Sequence, residues 1–284
     1  MKIAVASGKG GTGKTTVSVC LALSLAEQNP IQLLDCDVEE PNAHFFLEYP
    51  SCETAPVSVS IPDVDQTLCT ACHTCVEVCQ FNALALIKDE VLVFPQLCHS
   101  CGGCWYFCPE KAISEQSREI GSLKTCNHDR VQLVYGSLNI GEPMSPPLIR
   151  DVQKKIDKTK TVIIDSPPGT TCPMMVTVQN ADFCILVTEN TPFGLHDLEI
   201  SVEAIRTLEL PMGVIINRSD IGKSDVQAYC RKNDLPILLE IPFDHRIAEA
   251  YSNGTPFIET LPQYKEKFVE VFEFIQKGIG KKTV

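Results

Sequence analysis

The chain has 284 residues, 44% of them hydrophobic, enough to bury the core of one domain of about 200 residues together with a smaller one. Its 36 acidic and 24 basic side chains give a formal net charge of -12, which argues against a general nucleic-acid role because phosphate backbones demand basic surfaces. Residues 1–10 show no basic segment leading into a long apolar run, and no window approaches the ~20 apolar residues of a membrane span, so a cytoplasmic protein with protein or small-molecule partners is expected.

The first element, "KIAVAS" at 2–7, is a β-rich run that stops at Gly8. Thr15 to Ala26 then carries helical apolar spacing through Val17, Leu21, Leu23 and Leu25. Later apolar runs at 31–36, 161–166, 183–188, 212–217 and 237–242 suit buried parallel strands, with helical patterns between most of them. This alternation predicts an α/β fold: a doubly wound, mostly parallel sheet with its ligand site at the carboxyl ends of the strands. The rhythm breaks between about residues 58 and 118, where cysteines crowd in, and "VQLVYGSLNIGE" at 131–142 resumes strand-like alternation. The expected organisation is a main domain of residues 1–58 and 119–284, interrupted by a small α+β domain at 59–118.

Within the interruption, "CTACHTCVEVCQFNAL" (69–84) is answered 29 residues later by "CHSCGGCWYFCPEKAI" (98–113). Both segments space their thiols as C-x2-C-x2-C-x3-C, and the match extends to Ala83 with Ala112 and Leu84 with Ile113. So short a duplication is the signature of a two-cluster ferredoxin, in which each group gives three ligands to one cluster and its fourth to the other. Cys69, Cys72, Cys75 and Cys108 are thereby assigned to one 4Fe-4S cluster, and Cys98, Cys101, Cys104 and Cys79 to the second. Structural zinc is the alternative, and CxxC pairs alone would favour it; the triple spacing, the x3 step and the duplicated flank favour iron-sulfur. Cys108 precedes Pro109 as that pattern expects, whereas Cys79 precedes Gln80, a change in the turn after the ligand. With the ligand count full, His73, His99 and His128 read as surface residues. Fifteen cysteines in a reducing compartment argue for metal ligation over disulfides, with Cys20, Cys36 and Cys184 as small core residues in apolar runs.

Gly8, Gly13, Lys14 and Thr15 fit the G-x4-GK-[ST] phosphate loop, in which backbone N–H groups face phosphates, the lysine neutralises them and the hydroxyl binds Mg2+. The match follows a strand and opens a helix, as the chemistry requires. ATP and Mg2+ are the expected ligands. Asp35 and Asp37 follow the second strand, and Asp165 ends another, where carboxylates orient a water or the metal's hydration shell.

An additional lysine precedes the usual one. The stretch Gly8-Lys9-Gly10-Gly11-Thr12-Gly13-Lys14-Thr15-Thr16 resembles the deviant Walker A motif of the MinD/ParA/Mrp family, which includes the nitrogenase iron protein. The resemblance implies a homodimer, or a heterodimer with a paralogue, in which Lys9 reaches the nucleotide of the facing subunit; otherwise Lys9 is a solvated loop lysine. It also implies that Asp37 positions the water, that Asp35 lies nearer the Mg2+ shell and that Asp165 with Pro167-Pro168-Gly169 is the Walker B segment. Asn217, in "IINRSD" (215–220), falls at the family's base-recognition strand end, and "EIPFDHRIAEAYSNGTP" (240–256) resembles its C-terminal segment. Cys172, seven residues after Asp165, sits near the offset of a cluster ligand in the nitrogenase iron protein, although the second ligand's counterpart, "NIGEPMSP" (139–146), holds no cysteine. Partial burial is the expectation for Cys172.

Three functions compete. The first is a dimeric ATPase whose nucleotide state controls an inserted electron-transfer module and its redox or iron-sulfur partner. The second is an iron-sulfur carrier of the Mrp type, whose C-terminal CxxC has no counterpart here. The third is a MinD-like spatial organiser. Its anchor would be residues 263–282, where Tyr264, Phe268, Val271, Phe272, Ile275 and Ile279 form an apolar stripe, but Glu266, Glu270 and Glu273 interrupt the polar face. Docking of that helix on the protein's own sheet, without stable membrane insertion, is expected.

Overall fold

The computed structural model describes the chain except residues 48, 50, 129–130, 223–224 and 281–284, and except the side chains at 128 and 280. His128 and the last residues of the segment 263–282, Lys281 and Lys282, therefore lie outside the described side chains. The strands are β1 (Lys2–Ala6), β2 (Ile31–Asp35), β3 (Cys52–Val64), β4 (Leu84–Ile87), β5 (Glu90–Val93), β6 (Ile113–His128), β7 (Val131–Leu138), β8 (Thr161–Asp165), β9 (Phe183–Glu189), β10 (Met212–Asn217) and β11 (Ile237–Ile241). The helices are α1 (Lys14–Leu25), α2 (Thr74–Val78), α3 (Gly103–Tyr106), α4 (Pro146–Gln153), α5 (Cys172–Val178), α6 (Pro192–Arg206), α7 (Val226–Lys232), α8 (His245–Ser252), α9 (Phe257–Thr260) and α10 (Gln263–Gly280).

Nine strands form one sheet in the order β11-β10-β9-β1-β8-β2-β7-β6-β3. Its first seven strands run parallel. The central runs IQLLD and FCILVTE are buried along their whole length, as a parallel sheet covered on both faces requires. On one face Val17, Leu21 and Leu25 of α1 pack with Tyr264, Phe268, Val271, Phe272 and Ile275 of α10, and Ile279 joins them partly buried. The apolar stripe of α10 is thus spent on the protein's own sheet. The other face is covered by Ile149 of α4, Val178 of α5, Val202 of α6 and Cys230 of α7. No described helix is long and apolar enough to cross a membrane.

The parallel pattern ends at β7. β6 pairs antiparallel with β7, and only from Gly121↔Leu138 to His128↔Val131. β3 pairs antiparallel with β6 along its full length, from Cys52↔Cys126 to Val64↔Ile113. Residues 113–120 and 58–64 consequently run past Leu138, beyond the carboxyl end of the sheet, as a two-stranded ribbon. The register shifts between Val57 and Ser58 where the ribbon leaves the sheet, and the carbonyl of the bulged residue Ile120 accepts the N–H of Asn139 at 2.9 Å.

The far end of the ribbon carries the cysteine-rich segment, and the duplication is written in its backbone. Positive φ recurs 29 residues apart at Ala71 and Ser100, His73 and Gly102, and Asn82 and Lys111. The strand pair Leu84↔Val93 and Ile87↔Glu90 is matched by Ile113↔Val64 and Gln116↔Ile61. One copy closes as the β4–β5 hairpin, and the other continues into β3 and β6. Asp65 donates its N–H to Ala112 O and Phe94 to Ala83 O, each at 2.8 Å, so the halves clasp each other reciprocally.

Two expectations about cysteines are corrected. Cys52 and Cys126 form a disulfide, because register sets them opposite one another on β3 and β6 with Cα atoms 4.3 Å apart. Cys172 is exposed, not partly buried: it begins α5, whose buried residues are Met174, Thr177 and Val178. Cys20, Cys36 and Cys184 are fully buried, and burial pushes the thiols of Cys20 and Cys184 up to about 12.

Candidate functional site: a nucleotide cleft and two cysteine cavities

The strand-to-helix turn after β1 is shaped by two close approaches. A Cβ on Gly8 would meet the Asp197 carbonyl of α6 at 2.5 Å, and Gly13, at φ +94°, leaves room for the Asn217 amide, which a Cβ would meet at 2.6 Å. Asn217 donates from Nδ2 to Thr12 O at 2.9 Å and accepts from the Arg218 N–H at 3.0 Å, so the end of β10 holds the loop. A cavity of about 360 Å³ opens above the turn. Gly10, Gly11, Gly13, Lys14, Thr15 and Asp37 line one end, and Thr16 lies beside them. Asn217, Phe243, Ile247 and Tyr251 line the other. Gly8, Lys9 and Thr12 face away, toward β9 and α6. A helix N-terminus with convergent N–H groups and a buried lysine suits phosphates, and an apolar far wall suits a base.

Asp35 and Asp165 end adjacent strands in register and are fully buried behind the cavity. Asp35 accepts N–H bonds from Asp37 at 3.0 Å, Asn42 at 2.9 Å and Ala43 at 3.0 Å, which fastens the loop carrying Asp37. Asp165 accepts from the Ser18 hydroxyl at 2.9 Å, while its second oxygen is buried without a hydrogen-bond partner among the described residues. An orphaned carboxylate oxygen beneath Thr15 and Lys14 fits the hydration shell of a Mg2+ ion. Burial raises the pKa of both acids; Asp35 is pushed further by Asp165, whereas Lys14, Thr15 and Ser18 oppose the shift at Asp165.

Asp37 is half-buried, and burial pushes its carboxyl up to about 7, against the pull of Lys14 and with the repulsion of Asp165, Glu39 and Glu40. A carboxyl raised in the folded state contributes stability in full below its unfolded pKa, near 3.8, and loses it as pH rises through about 7. In nucleotide-free protein, Asp37→Asn is therefore expected to match the wild type near pH 4 and to melt progressively higher between pH 4 and 7. The gain should be about 1–3 kcal/mol at pH 8 after allowing for partial exposure. Thermal melts across that range check it.

Lys9 is half-exposed and lies 3.3 Å from Glu189, which also pairs with Arg218 at 2.8 Å. Sequence reasoning missed this acceptor, yet a signal existed: Glu189 is a carboxylate ending a wholly buried strand at the ligand edge of the sheet.

Beyond the ribbon, Cys69, Cys72, Cys75 and Cys108 line one small cavity, and Cys79, Cys98, Cys101 and Cys104 line another. Among the described residues, no three His, Cys, Asp or Glu side chains gather closely enough to hold a single metal ion. Cys79 Sγ accepts the N–H of Ala83 and Cys108 Sγ that of Ala112, both at 3.3 Å, so the duplicated alanines play duplicated parts. Cys98 Sγ accepts the N–H of Ser100 at 3.4 Å. The Thr74 hydroxyl holds the exposed Cys72 thiol below its ordinary value. His73 lines the first cavity and lies 3.5 Å from Glu77, and His99 lines the second and stacks on Phe81.

The comparisons agree with this architecture. The uncharacterized protein MJ0579 of Methanocaldococcus jannaschii is 29% identical over 265 residues, covering 91% of this chain and 92% of its own. A protein of Rickettsia conorii named an iron-sulfur cluster carrier is 24% identical, covering 94% of this chain and 69% of its own. The septum site-determining protein MinD of Pyrococcus horikoshii, solved with Mg-ADP, superposes with a TM-score of 0.58 at 20% identity over 99% of this chain and 98% of that one, a likeness of fold. Since the CobQ/CobB/MinD/ParA nucleotide-binding domain matches residues 3–257 and those residues build the sheet, the glycine turn and the cleft, the chain belongs to that family.

Proposed function

We propose that the chain is a dimeric ATPase whose nucleotide state controls two 4Fe-4S clusters held at the tip of the β3–β6 ribbon. The observation that carries this reading is the ribbon itself: strands of the main sheet continue, unbroken, into the segment that holds both cysteine cavities, on the side of the sheet where the nucleotide cleft opens. Lys14 and the N–H groups of the turn bind phosphates, Thr15 and Asp165 serve the Mg2+ shell, Asp37 orients the attacking water, and Asp35 keeps Asp37 in place. Mg2+, when bound, offsets charge on the transferred phosphoryl group.

The two cavities fit iron-sulfur clusters better than single ions. A four-iron cluster spaces its thiolates more widely than one ion does, and each cavity gathers four thiols without a close group of three. Cys69, Cys72, Cys75 and Cys108 would hold one cluster, and Cys98, Cys101, Cys104 and Cys79 the other. Bound there, each cluster supplies a one-electron store. The N–H groups of Ala83, Ser100 and Ala112 stabilise thiolate charge. A redox partner would dock at the exposed tip, where Tyr106 and Phe107 adjoin Cys108.

Dimerisation across the nucleotide is supported by the exposed apolar side chains of Phe45, Ile140 and Phe193, which follow the carboxyl ends of β2, β7 and β9. Glu189 holds Lys9 within its own subunit, and a facing nucleotide would take it over. Lys9→Ala is expected to leave ATP affinity of the monomer within about threefold while weakening the ATP-dependent dimer at least tenfold, a loss of about 1.4 kcal/mol. Sedimentation velocity with ATP and turnover assays test it; an unchanged dimer with unchanged hydrolysis ends the facing-subunit role. The carrier reading has less support, because the cysteines after Cys172 are the buried Cys184 and Cys230. The organiser reading loses its anchor to the docking of α10.

A further inference from the structure

We propose that the ion pair of Arg118 with Glu142 is the element through which the nucleotide cleft sets the reduction potential of the Cys98-side cluster, an inference that rests on the clusters proposed above. Arg118 lies on β6 opposite Val59, and Gln116 lies opposite Ile61. Facing residues of an antiparallel pair share a face, so Arg118 stands on the same ribbon face as Val59 and Ile61. Those two side chains pack with Cys98, Cys79 and Ala83. The guanidinium is held above its ordinary value chiefly by its hydrogen bond to Glu142.

Glu142 takes Arg118 in a two-pronged contact, with Nη2 to Oε1 at 3.0 Å and Nη1 to Oε2. The carboxylate is 5% exposed and the arginine 19%. A buried ion pair is weak evidence for stability, since desolvation offsets most of its attraction. Arg118 also keeps a buried Nε–H without a partner among the described residues.

The other end of the pair is tied by backbone hydrogen bonds to the loop that carries Asp37. Glu142 lies in the loop after β7, where its N–H donates to Asn139 O at 3.0 Å. The Asn139 N–H holds the ribbon bulge at Ile120 O, and Leu138 donates to Val38 O at 2.8 Å. Val38 directly follows Asp37. A shift of the Asp37 loop on nucleotide exchange is therefore passed to the Glu142 loop and changes how fully Glu142 neutralises Arg118. A cation beside a cluster favours its reduced, more negative form, so unmasking Arg118 raises the potential and removing it lowers the potential.

The test is an anaerobic redox titration, followed by electron paramagnetic resonance, of reconstituted full-length protein with no nucleotide and with Mg-ATP. Wild type, Glu142→Gln, Arg118→Gln and Arg118→Lys are each compared, and a Cys69→Ser background assigns signals to the Cys98-side cluster. Glu142→Gln should raise that cluster's potential and Arg118→Gln should lower it, each by about a tenfold change in the oxidised-to-reduced ratio at fixed solution potential, or ~59 mV for a one-electron couple. Arg118→Lys, which keeps the charge, should stay near wild type. Both neutral variants should lose the nucleotide-dependent shift, and the Cys69-side cluster should not respond to either. Shifts of the same sign, as general disruption of the ribbon would give, overturn the proposal. So does a wild-type nucleotide shift that survives in both variants, an outcome that leaves the parent reading intact. Protein with full iron content but no nucleotide shift in wild type refutes the coupling in both; protein that binds no iron removes the clusters themselves.

Discussion

Lys14→Ala is expected to abolish tight ATP binding, with an affinity loss of roughly 2–5 kcal/mol, or about 30- to 4000-fold. Lys14 is 6% exposed in the glycine turn, and its charge draws down the pKa of both Asp37 and Asp165. Its removal takes away charge that faces the phosphates and leaves Asp37, Asp165 and the incoming nucleotide in mutual repulsion. Isothermal titration with Mg-ATP measures the loss, and circular dichroism shows whether the fold survives. Binding within threefold of wild type would mean that the cleft is not the phosphate site.

Cys69→Ser and Cys98→Ser are expected each to remove one of two clusters, lowering the content from about eight to about four iron and sulfide per chain, while ATP binding persists in both. No residue lines both cysteine cavities, and neither cavity shares a lining residue with the nucleotide cleft. Cys75, Leu84, Val91, Cys104 and Ile113 form one small apolar cluster that both cavities share, and Ile61, Ala83 and Cys98 form another. The side chains of the main sheet belong to two larger cores that contain none of the eight cavity cysteines. Iron and sulfide analysis of anaerobically purified protein reads the count. Zinc in place of iron, or a variant that stays folded yet no longer binds ATP, would contradict the assignment.

The parts of this molecule legible in sequence are those whose determinants are local. Gly8 to Thr16 specify a turn within one strand–loop–helix unit, and the carboxyl-end aspartates follow from buried runs that end in a charge. The cysteine repeat was legible because its two halves carry the same local conformations, down to positive φ at His73 where the other half has Gly102. What depended on register was not legible. Residues 52–56 are exposed and contain Glu53 and Pro56, so the edge strand β3 shows no buried-strand signature, and its pairing with β6 spans up to 74 residues. The Cys52–Cys126 disulfide and the bulge at Ile120 both depend on that one unread pairing, and the Arg118–Glu142 pair on the β6–β7 pairing beside it. Glu189 was missed for a related reason: its partners Lys9 and Arg218 come from two other strand ends.

The central claim, that nucleotide state controls the clusters, is tested most directly with Asp37→Ala, which removes the carboxylate proposed to orient the water and should trap an ATP-bound dimer. Cluster potentials and the rate of iron loss to a chelator are measured anaerobically on that variant with ATP, and on the wild type with ADP and without nucleotide. A coupling free energy of about 1–3 kcal/mol, the usual range between communicating sites, would change the equilibrium or rate by roughly 5- to 150-fold. The expected result is a shift of that order between the trapped ATP state and the other two. Identical potentials and identical chelation rates in all three states would show the ribbon to be a passive stalk and contradict the account.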